Sequence, residues 1–133
     1  MALTLRQARG YADRTLDAAR RAGVDAAVCV VDEFGQLVQL DRMETAPPLA
    51  ADLARAKALT ALNLRRATRD VAAEYAGNPE ILAAMQGVAR FALLPVPGGL
   101  PIVAGGRTLG AIGVSGGTGE QDDALARAAV EHT

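Results

Sequence analysis

Apolar residues recur at helical spacing near the start of the chain. Thr4 and Gln7 match the capping box that opens many helices, and Gly23 matches the glycine that ends them. The apolar positions that share one face between these signals are Leu5, Ala8, Ala12, Leu16 and Ala19. The pattern therefore predicts an amphipathic first helix.

Two β-prone segments follow this helix, at 26–32 and 36–43, and the residues between them include Gly35. Short strands joined by a glycine-containing turn predict a β-hairpin. After Pro47-Pro48 a second helix is predicted over 49–64. Its expected inward stripe consists of Leu49, Leu53, Ala56 and Thr60.

The middle of the chain carries weaker signals. Thr68 with Asp70, and Asn78-Pro79 further on, resemble helix starts and predict two short helices. The segment 89–94 is apolar and bounded by turn-forming residues, so it is predicted to be a strand.

A second hairpin is predicted from 100–104 and 107–114, because Gly105-Gly106 between β-prone runs is a strong two-residue turn signal. Thr118 and Gln121 repeat the capping-box pattern and open a last helix. The order predicts one α+β domain over residues 1–133, with helices against an antiparallel sheet.

Composition narrows the function classes. Aromatic residues make up only 3% of the chain and the net charge is −1, so neither stacking surfaces nor a basic footprint for nucleic acid is expected. The single cysteine, Cys29, lies in an apolar run and is expected to be a buried core residue. The pattern shows no signal-peptide core and no apolar stretch near the ~20 residues of a membrane span, which favours a cytoplasmic protein.

Two glycine-rich loops carry the candidate chemistry. They are Pro97-Gly98-Gly99 and the turn from Gly113 to Gly119, which includes Ser115 and Gly116 and leads into the helix capped by Gln121. Free backbone N–H groups before a helix can bind an anion. A glycine-rich loop can equally be a tight turn between a strand and a helix, and both interpretations stay open. No second βα unit can follow and no Gly-Lys-Ser/Thr occurs, which excludes a dinucleotide fold and a P-loop.

Lys57 and Asp122 are the candidate catalytic residues, with Thr60 nearby on the second helix. A lysine buried near the glycine loops could pair with a carboxylate or move a proton, and Asp122 could act as a base. The alternatives are an exposed lysine and a carboxylate that only favours the helix dipole. A catalytic Lys57 predicts that Lys57→Ala abolishes turnover of a small carboxylate with thermal stability nearly unchanged. Ser115 lacks a histidine for a triad, and no acidic or histidine cluster has metal-ligand spacing.

Six segments in order resemble the GlcG/HbpS-like, or haem-degrading-domain, family, which is related to the C-terminal module of corrinoid adenosyltransferases. They are Leu3-Thr-Leu-Arg-Gln-Ala8, Val30-Val-Asp-Glu-Phe-Gly-Gln-Leu-Val38 with Arg42-Met43, Ala54-Arg-Ala-Lys-Ala-Leu-Thr-Ala61, Leu94-Pro-Val-Pro-Gly-Gly-Leu-Pro-Ile102, Gly110-Ala-Ile-Gly-Val-Ser-Gly116 and Gln121-Asp122. The resemblance implies a profilin-like α/β/α sandwich with a five-stranded antiparallel sheet, assembled into dimers or larger homo-oligomers. It also implies haem binding or degradation, corrinoid metabolism or a role in catabolic gene clusters. A typical member has Phe-Gly-Arg-Pro-Thr where this chain has Leu64-Arg-Arg-Ala-Thr68.

The residues give limited support to haem. Haem iron takes His, Cys, Met or Tyr ligands. The only histidine, His132, is next to the last residue, while Tyr11, Tyr75, Met43 and Met85 lie in helical or apolar contexts. The first hypothesis is therefore a catabolic enzyme or accessory protein that binds a small anion and moves a proton without a cofactor. The alternatives are a haem- or tetrapyrrole-binding protein and a non-catalytic oligomeric scaffold.

Overall fold

The computed structural model describes residues 2–131, which form five helices and one four-stranded sheet. In chain order the elements are α1 (Leu5–Ala22), β1 (Ala27–Asp32), β2 (Leu37–Arg42), α2 (Ala50–Leu64), α3 (Thr68–Glu74), α4 (Pro79–Val88), β3 (Gly99–Ala104), β4 (Arg107–Ser115) and α5 (Gly119–Val130). The strand order in the sheet is β2-β1-β4-β3, and every neighbouring pair is antiparallel. The predicted α+β class is confirmed.

Both predicted capping boxes are present. The Thr4 hydroxyl accepts a hydrogen bond from the Gln7 amide at 3.1 Å, and the Gln7 side chain accepts one from the Thr4 amide at 2.9 Å. Thr118 and Gln121 make the same exchange at the start of α5. Gly23 ends α1 in the left-handed conformation, with φ of 70°. These ends follow from local hydrogen bonding, which is why the sequence predicts them.

The two hairpins lie as predicted, and the sheet joins them through β1 and β4. Gly105 and Gly106 have φ of 58° and 74°, which fits the type I′ turn that matches the twist of paired strands. The long-range pairing runs from Ala27 opposite Ser115 to Asp32 opposite Gly110. This pairing places the end of β4 beside the start of β1.

Helices cover both faces of the sheet. Val28 and Val30 of β1 belong to the apolar cluster that includes α1 and α5. Ala27, Cys29 and Val31 belong to the cluster that includes α2. Since neighbouring side chains of a strand point to opposite faces, β1, which is apolar and buried from Ala27 to Val31, lies between two helical layers.

Alanine and glycine make the contact between α2 and the sheet. A Cβ on Gly113 would collide with the backbone of α2 at Ala54 and Ala58, so the helix lies very close to β4. The inward positions of α2 are therefore small residues, namely Ala50, Ala54, Ala58 and Ala61. The expected stripe was wrong at Leu49, which is exposed, because Leu49 only precedes α2 and the neighbouring Ala50 is the residue that faces the sheet.

The prediction of a fifth strand was wrong. Residues 89–94 pair with no strand, and the sheet has four strands. The Gln86 side chain donates to the Phe91 carbonyl at 2.9 Å and accepts from the Leu93 amide at 2.7 Å. Side chains thus take the backbone groups that a strand would offer to a neighbour. Whether the domain is profilin-like stays a prediction.

Helices α3 and α4 begin where the short helix signals place them, at Thr68 and Pro79. None of the residues of α4 is buried. Among residues 2–131, no helix combines the length and the apolar character that crossing a bilayer requires.

Candidate functional site

Lys57 and Asp122 form an ion pair in the interior. The Lys57 Nζ lies 2.9 Å from Asp122 Oδ2 and donates a second hydrogen bond, also of 2.9 Å, to the Val114 carbonyl. Asp122 Oδ1 accepts from the Gly117 amide at 2.9 Å. The two side chains are only 4% and 2% exposed. The pair therefore ties α2 to α5 and to the end of β4.

The glycine pair at the start of β3, Gly98-Gly99, makes room for this ion pair. Gly98 has φ of 129°, and a Cβ there would lie 2.5 Å from the Val114 oxygen and 3.0 Å from Lys57 Cδ. Its carbonyl accepts from the Val114 amide at 2.9 Å. The Gly99 amide donates to the Thr68 hydroxyl at 2.8 Å. These backbone groups thus bond within the chain.

The second glycine loop is also used internally. Ser115 is buried at the end of β4 and pairs with Ala27 across the sheet. Gly116, with φ of 129°, lets the chain pass close to the Asp25 carbonyl. The Gln121 side chain is occupied in its capping box. Ser115 and Gln121 therefore make contacts within the chain, and anion binding by the amides of the glycine loops stays a prediction.

Thr60 and Pro97 serve other contacts. The buried Thr60 hydroxyl donates to the Ala56 carbonyl at 2.8 Å and accepts from the Leu94 amide at 2.9 Å, so it anchors the segment after α4. Pro97 lies against Gly119 at the start of α5. The structure thus places most of the predicted site residues around one buried pair rather than around an open pocket, and their predicted roles in binding and catalysis stay predictions.

The sequence alone sets Lys57 apart from the other basic residues. It is the only lysine of the chain, while the other 13 of the 14 basic residues are arginines. Lysine reaches a buried carboxylate as a compact charge on a flexible stem, whereas the guanidinium of arginine is a broad planar group. A single lysine in an arginine-rich protein therefore points to a position that needs this shape.

Amine-reactive labelling should report this burial directly. In the native protein the peptide that contains Lys57 should remain unmodified, because the Nζ is enclosed and bonded to Asp122 and Val114. In urea the same peptide should be modified completely. Mass spectrometry of the digested protein measures both states. Rapid labelling of native Lys57 would contradict the buried pair.

An apolar depression lies elsewhere, between α4, the end of α2 and the segment 89–93. It encloses about 550 Å³. Its large apolar lining residues are Leu64, Ile81, Met85, Val88, Phe91 and Leu93. Val88 is 84% exposed, so this helix presents apolar side chains to solvent. We call this depression the α4 groove.

Of the residues considered as haem ligands, Met85 is the one that lies on the α4 groove. Met43 is occupied, since its sulfur accepts from the Ala26 amide at 3.2 Å. Tyr11 packs against the core with the Arg14 guanidinium 4.9 Å from its ring centre. The groove could not be predicted from the sequence, because it forms only where the segment 89–93 packs against α4.

The remaining candidates are less suited to iron. Burial raises the pKa of the Cys29 thiol to about 12, so it stays protonated at neutral pH, and its predicted place in the core is confirmed. A side-chain hydrogen bond with Glu74 raises the pKa of the Tyr75 phenol. His132 lies outside the described residues. Between residues 2 and 131, no group of three or more His, Cys, Asp or Glu residues is placed to hold a metal ion.

Antiparallel strands covered by helices on both faces, with alanine and glycine at the closest contact, define the chain as a layered α+β domain. The family model described as "Haem degrading protein HbpS-like" matches residues 3–131. The chain belongs to the HbpS-like family.

Two curated relatives support this assignment. An uncharacterized 15.0 kDa protein from the dhaT-dhaS intergenic region of Citrobacter freundii is 33% identical over 97% of this chain and 90% of its own length. Protein GlcG of Escherichia coli K12 is 35% identical over 73% of this chain and 69% of its own length.

Solved structures have the same fold. A double mutant of HbpS from Streptomyces reticuli has a TM-score of 0.88 and 31% identity, covering 98% of this chain and 86% of that protein. A PduOC:haem complex also has a TM-score of 0.88, with 26% identity, covering 98% of this chain and 94% of that protein. The predicted GlcG/HbpS-like family is confirmed.

Proposed function

We propose that this protein binds haem or a closely related tetrapyrrole in the α4 groove. The observation that carries the proposal is a solvent-exposed apolar groove of about 550 Å³ on a helix with no buried residue. Ligand sites of this kind are apolar depressions of about 300–1,000 Å³ with few polar groups. The family description and the likeness to a haem complex support the same ligand class.

The residues of the groove fit such a ligand. The apolar side chains of Ile81, Val88 and Phe91 suit the faces of a large flat ring. Met85 would supply a thioether ligand to iron. Arg90 is exposed between two groove residues and would pair with a carboxylate of the ligand. Bound haem would supply an iron centre, and the residues of the groove would hold it, with the Met85 thioether as a ligand to the iron.

A haemin titration tests the proposal. The wild type should shift the Soret band saturably, and Val88→Asp should abolish this shift because it places a charge on the apolar surface. Met85→Leu keeps the apolar volume but removes the sulfur, so binding should persist with a different Soret position. Val103→Asp is the matched control, because Val103 is an exposed valine on β3 that does not line the groove.

Unchanged haemin spectra in both Val88→Asp and Met85→Leu would overturn the assignment of the ligand to the α4 groove. His132→Ala should bind haemin as the wild type does. Self-association is predicted from the sequence, and an exposed apolar helix also favours it. Light scattering on the same variants measures the oligomeric state and so separates self-association from haemin binding.

The burial of Lys57 and Asp122 supports a different role from the proton transfer that the sequence predicts. We infer that the pair holds α2, β4 and α5 in register, because all its polar contacts lie inside the chain. Proton transfer on a small anion and a catabolic accessory role stay predictions. Proton transfer would be supported if the wild type turned over a small carboxylate and the Asp122→Asn variant kept its fold but lost this turnover.

A further inference from the structure

A polar cavity of about 490 Å³ lies where the tips of both hairpins meet the end of α2. Phe34 and Glu33 reach it from the β1–β2 turn, and Arg107 reaches it from the start of β4. Arg65 reaches it from the end of α2. We call it the hairpin-tip pocket.

Arg65 has an unusual backbone. Its φ and ψ are 56° and 41°, and it is the one non-glycine residue with positive φ among residues 2–131. This left-handed conformation disfavours most side chains, and such residues concentrate at functional sites. The position would accept glycine with less strain, and it falls in Leu64-Arg-Arg-Ala-Thr68, where the family pattern quoted above has glycine. Arg65 therefore places a charged side chain at a position where the backbone conformation favours glycine.

Among residues 2–131, no carboxylate pairs with the Arg65 guanidinium, whereas Arg66 and Arg107 each pair with a glutamate. Within the described part of the chain Arg65 forms no ion pair. Arg66, the next residue, pairs with Glu74, and Arg107 pairs with Glu33 at 3.3 Å. With two guanidinium groups and one carboxylate, the lining carries a net positive charge. It therefore favours a ligand with an acceptor for the Arg65 fork.

Phe34 adds an aromatic face to the same pocket. It is 80% exposed, although the whole chain has only two phenylalanines and two tyrosines. The turn that carries it is rigid, because Asp32 Oδ1 accepts from the Phe34 amide at 2.9 Å and from the Gln36 amide at 3.0 Å. An exposed ring on an ordered turn offers a preorganised surface to a flat ligand.

We propose that the hairpin-tip pocket binds a small organic carboxylate with a flat, unsaturated body. Arg65 binds the carboxylate through paired N–H donors, and the body stacks on the Phe34 ring. The proposal goes beyond tetrapyrrole binding and uses different side chains, since only Asn63 borders both the pocket and the α4 groove.

Benzoate is the probe, with acetate and benzamide as partial ligands that lack the ring and the charge, respectively. In titrations followed by ¹H–¹⁵N NMR, benzoate should shift the backbone amides of Arg65 and Gly106 saturably. Arg65→Asn should weaken benzoate binding at least about tenfold, the loss expected for hydrogen bonds to a charged group. Asparagine tolerates positive φ, so this variant should keep the fold.

Three comparisons make the result decisive. Arg66→Gln removes a neighbouring charge outside the pocket and should leave benzoate binding unchanged. Phe34→Ala should weaken benzoate binding but leave acetate binding unchanged. Haemin and benzoate should bind to the protein at the same time, because their proposed sites are separate. Equal benzoate affinity in Arg65→Asn, equal affinity for acetate and benzoate, or displacement of benzoate by haemin would each overturn the proposal. Failure of haemin to bind would leave this test intact.

Discussion

Replacing Lys57 with methionine should lower the free energy of unfolding by about 3–5 kcal/mol, the cost of leaving a buried charge without its partner. The Asp122 carboxylate would remain enclosed with only the Gly117 amide as a donor, and the Val114 carbonyl would lose its hydrogen bond to Nζ. Domains of this size unfold with about 5–15 kcal/mol, so the loss is a large part of the total. Urea unfolding followed by circular dichroism measures it.

This expectation reverses the sequence-based one, in which Lys57→Ala leaves stability nearly unchanged. The double variant Lys57→Met/Asp122→Leu should recover part of the loss, because no buried charge then remains. Arg20→Gln, which breaks the exposed pair with Asp17, is the control and should change stability little. A Lys57→Met variant as stable as the wild type would contradict the structural role of the pair and favour a functional one.

Gly98→Ala should destabilise the protein by roughly 2–6 kcal/mol, as the sum of a strained backbone and an overpacked site. The φ of 129° disfavours any side chain. The new Cβ would also lie 2.5 Å from the Val114 oxygen and 3.0 Å from the Asp122 Cβ. Relief of these contacts would move β4 away from α5 and disturb the ion pair. Thermal and urea unfolding of the variant test both effects.

Gly87→Ala is the matched control. Gly87 is a helical glycine in α4, and its Cβ would have no neighbour within 4 Å. Alanine there should therefore stabilise the protein by about 0.5–1 kcal/mol. If Gly98→Ala were as stable as the wild type, the glycine would not be needed for close packing, and its predicted role at a pocket rim would regain support.

Features that depend on neighbouring residues in the chain were predictable. The capping boxes at Thr4 and Thr118 and the Gly105-Gly106 turn are all present in the structure. Each is stabilised by hydrogen bonds or dihedral preferences within a few residues. The α+β class follows from the order of these elements and was confirmed with them.

Features that depend on distant contacts were not predictable. Residues 89–94 have a strand-like composition, yet Gln86 and Thr60 bond their backbone. Leu49 fits a helical stripe, yet the inward face of α2 is set by its contact with Gly113 on β4. Thr60 in the first case and Gly113 in the second lie far away in the sequence, and their contacts outweigh the local preference.

The same division applies to the candidate sites. The sequence by itself determined the family, the helix ends, the hairpins and which residues carry chemistry, including Lys57, Asp122 and the glycine pairs. Only the tertiary structure decided that Lys57 and Asp122 close on each other inside the domain, and that the open surfaces lie at α4 and at the hairpin tips. The physical reason is that residue type and spacing determine local hydrogen bonding, whereas burial and access depend on how the layers pack.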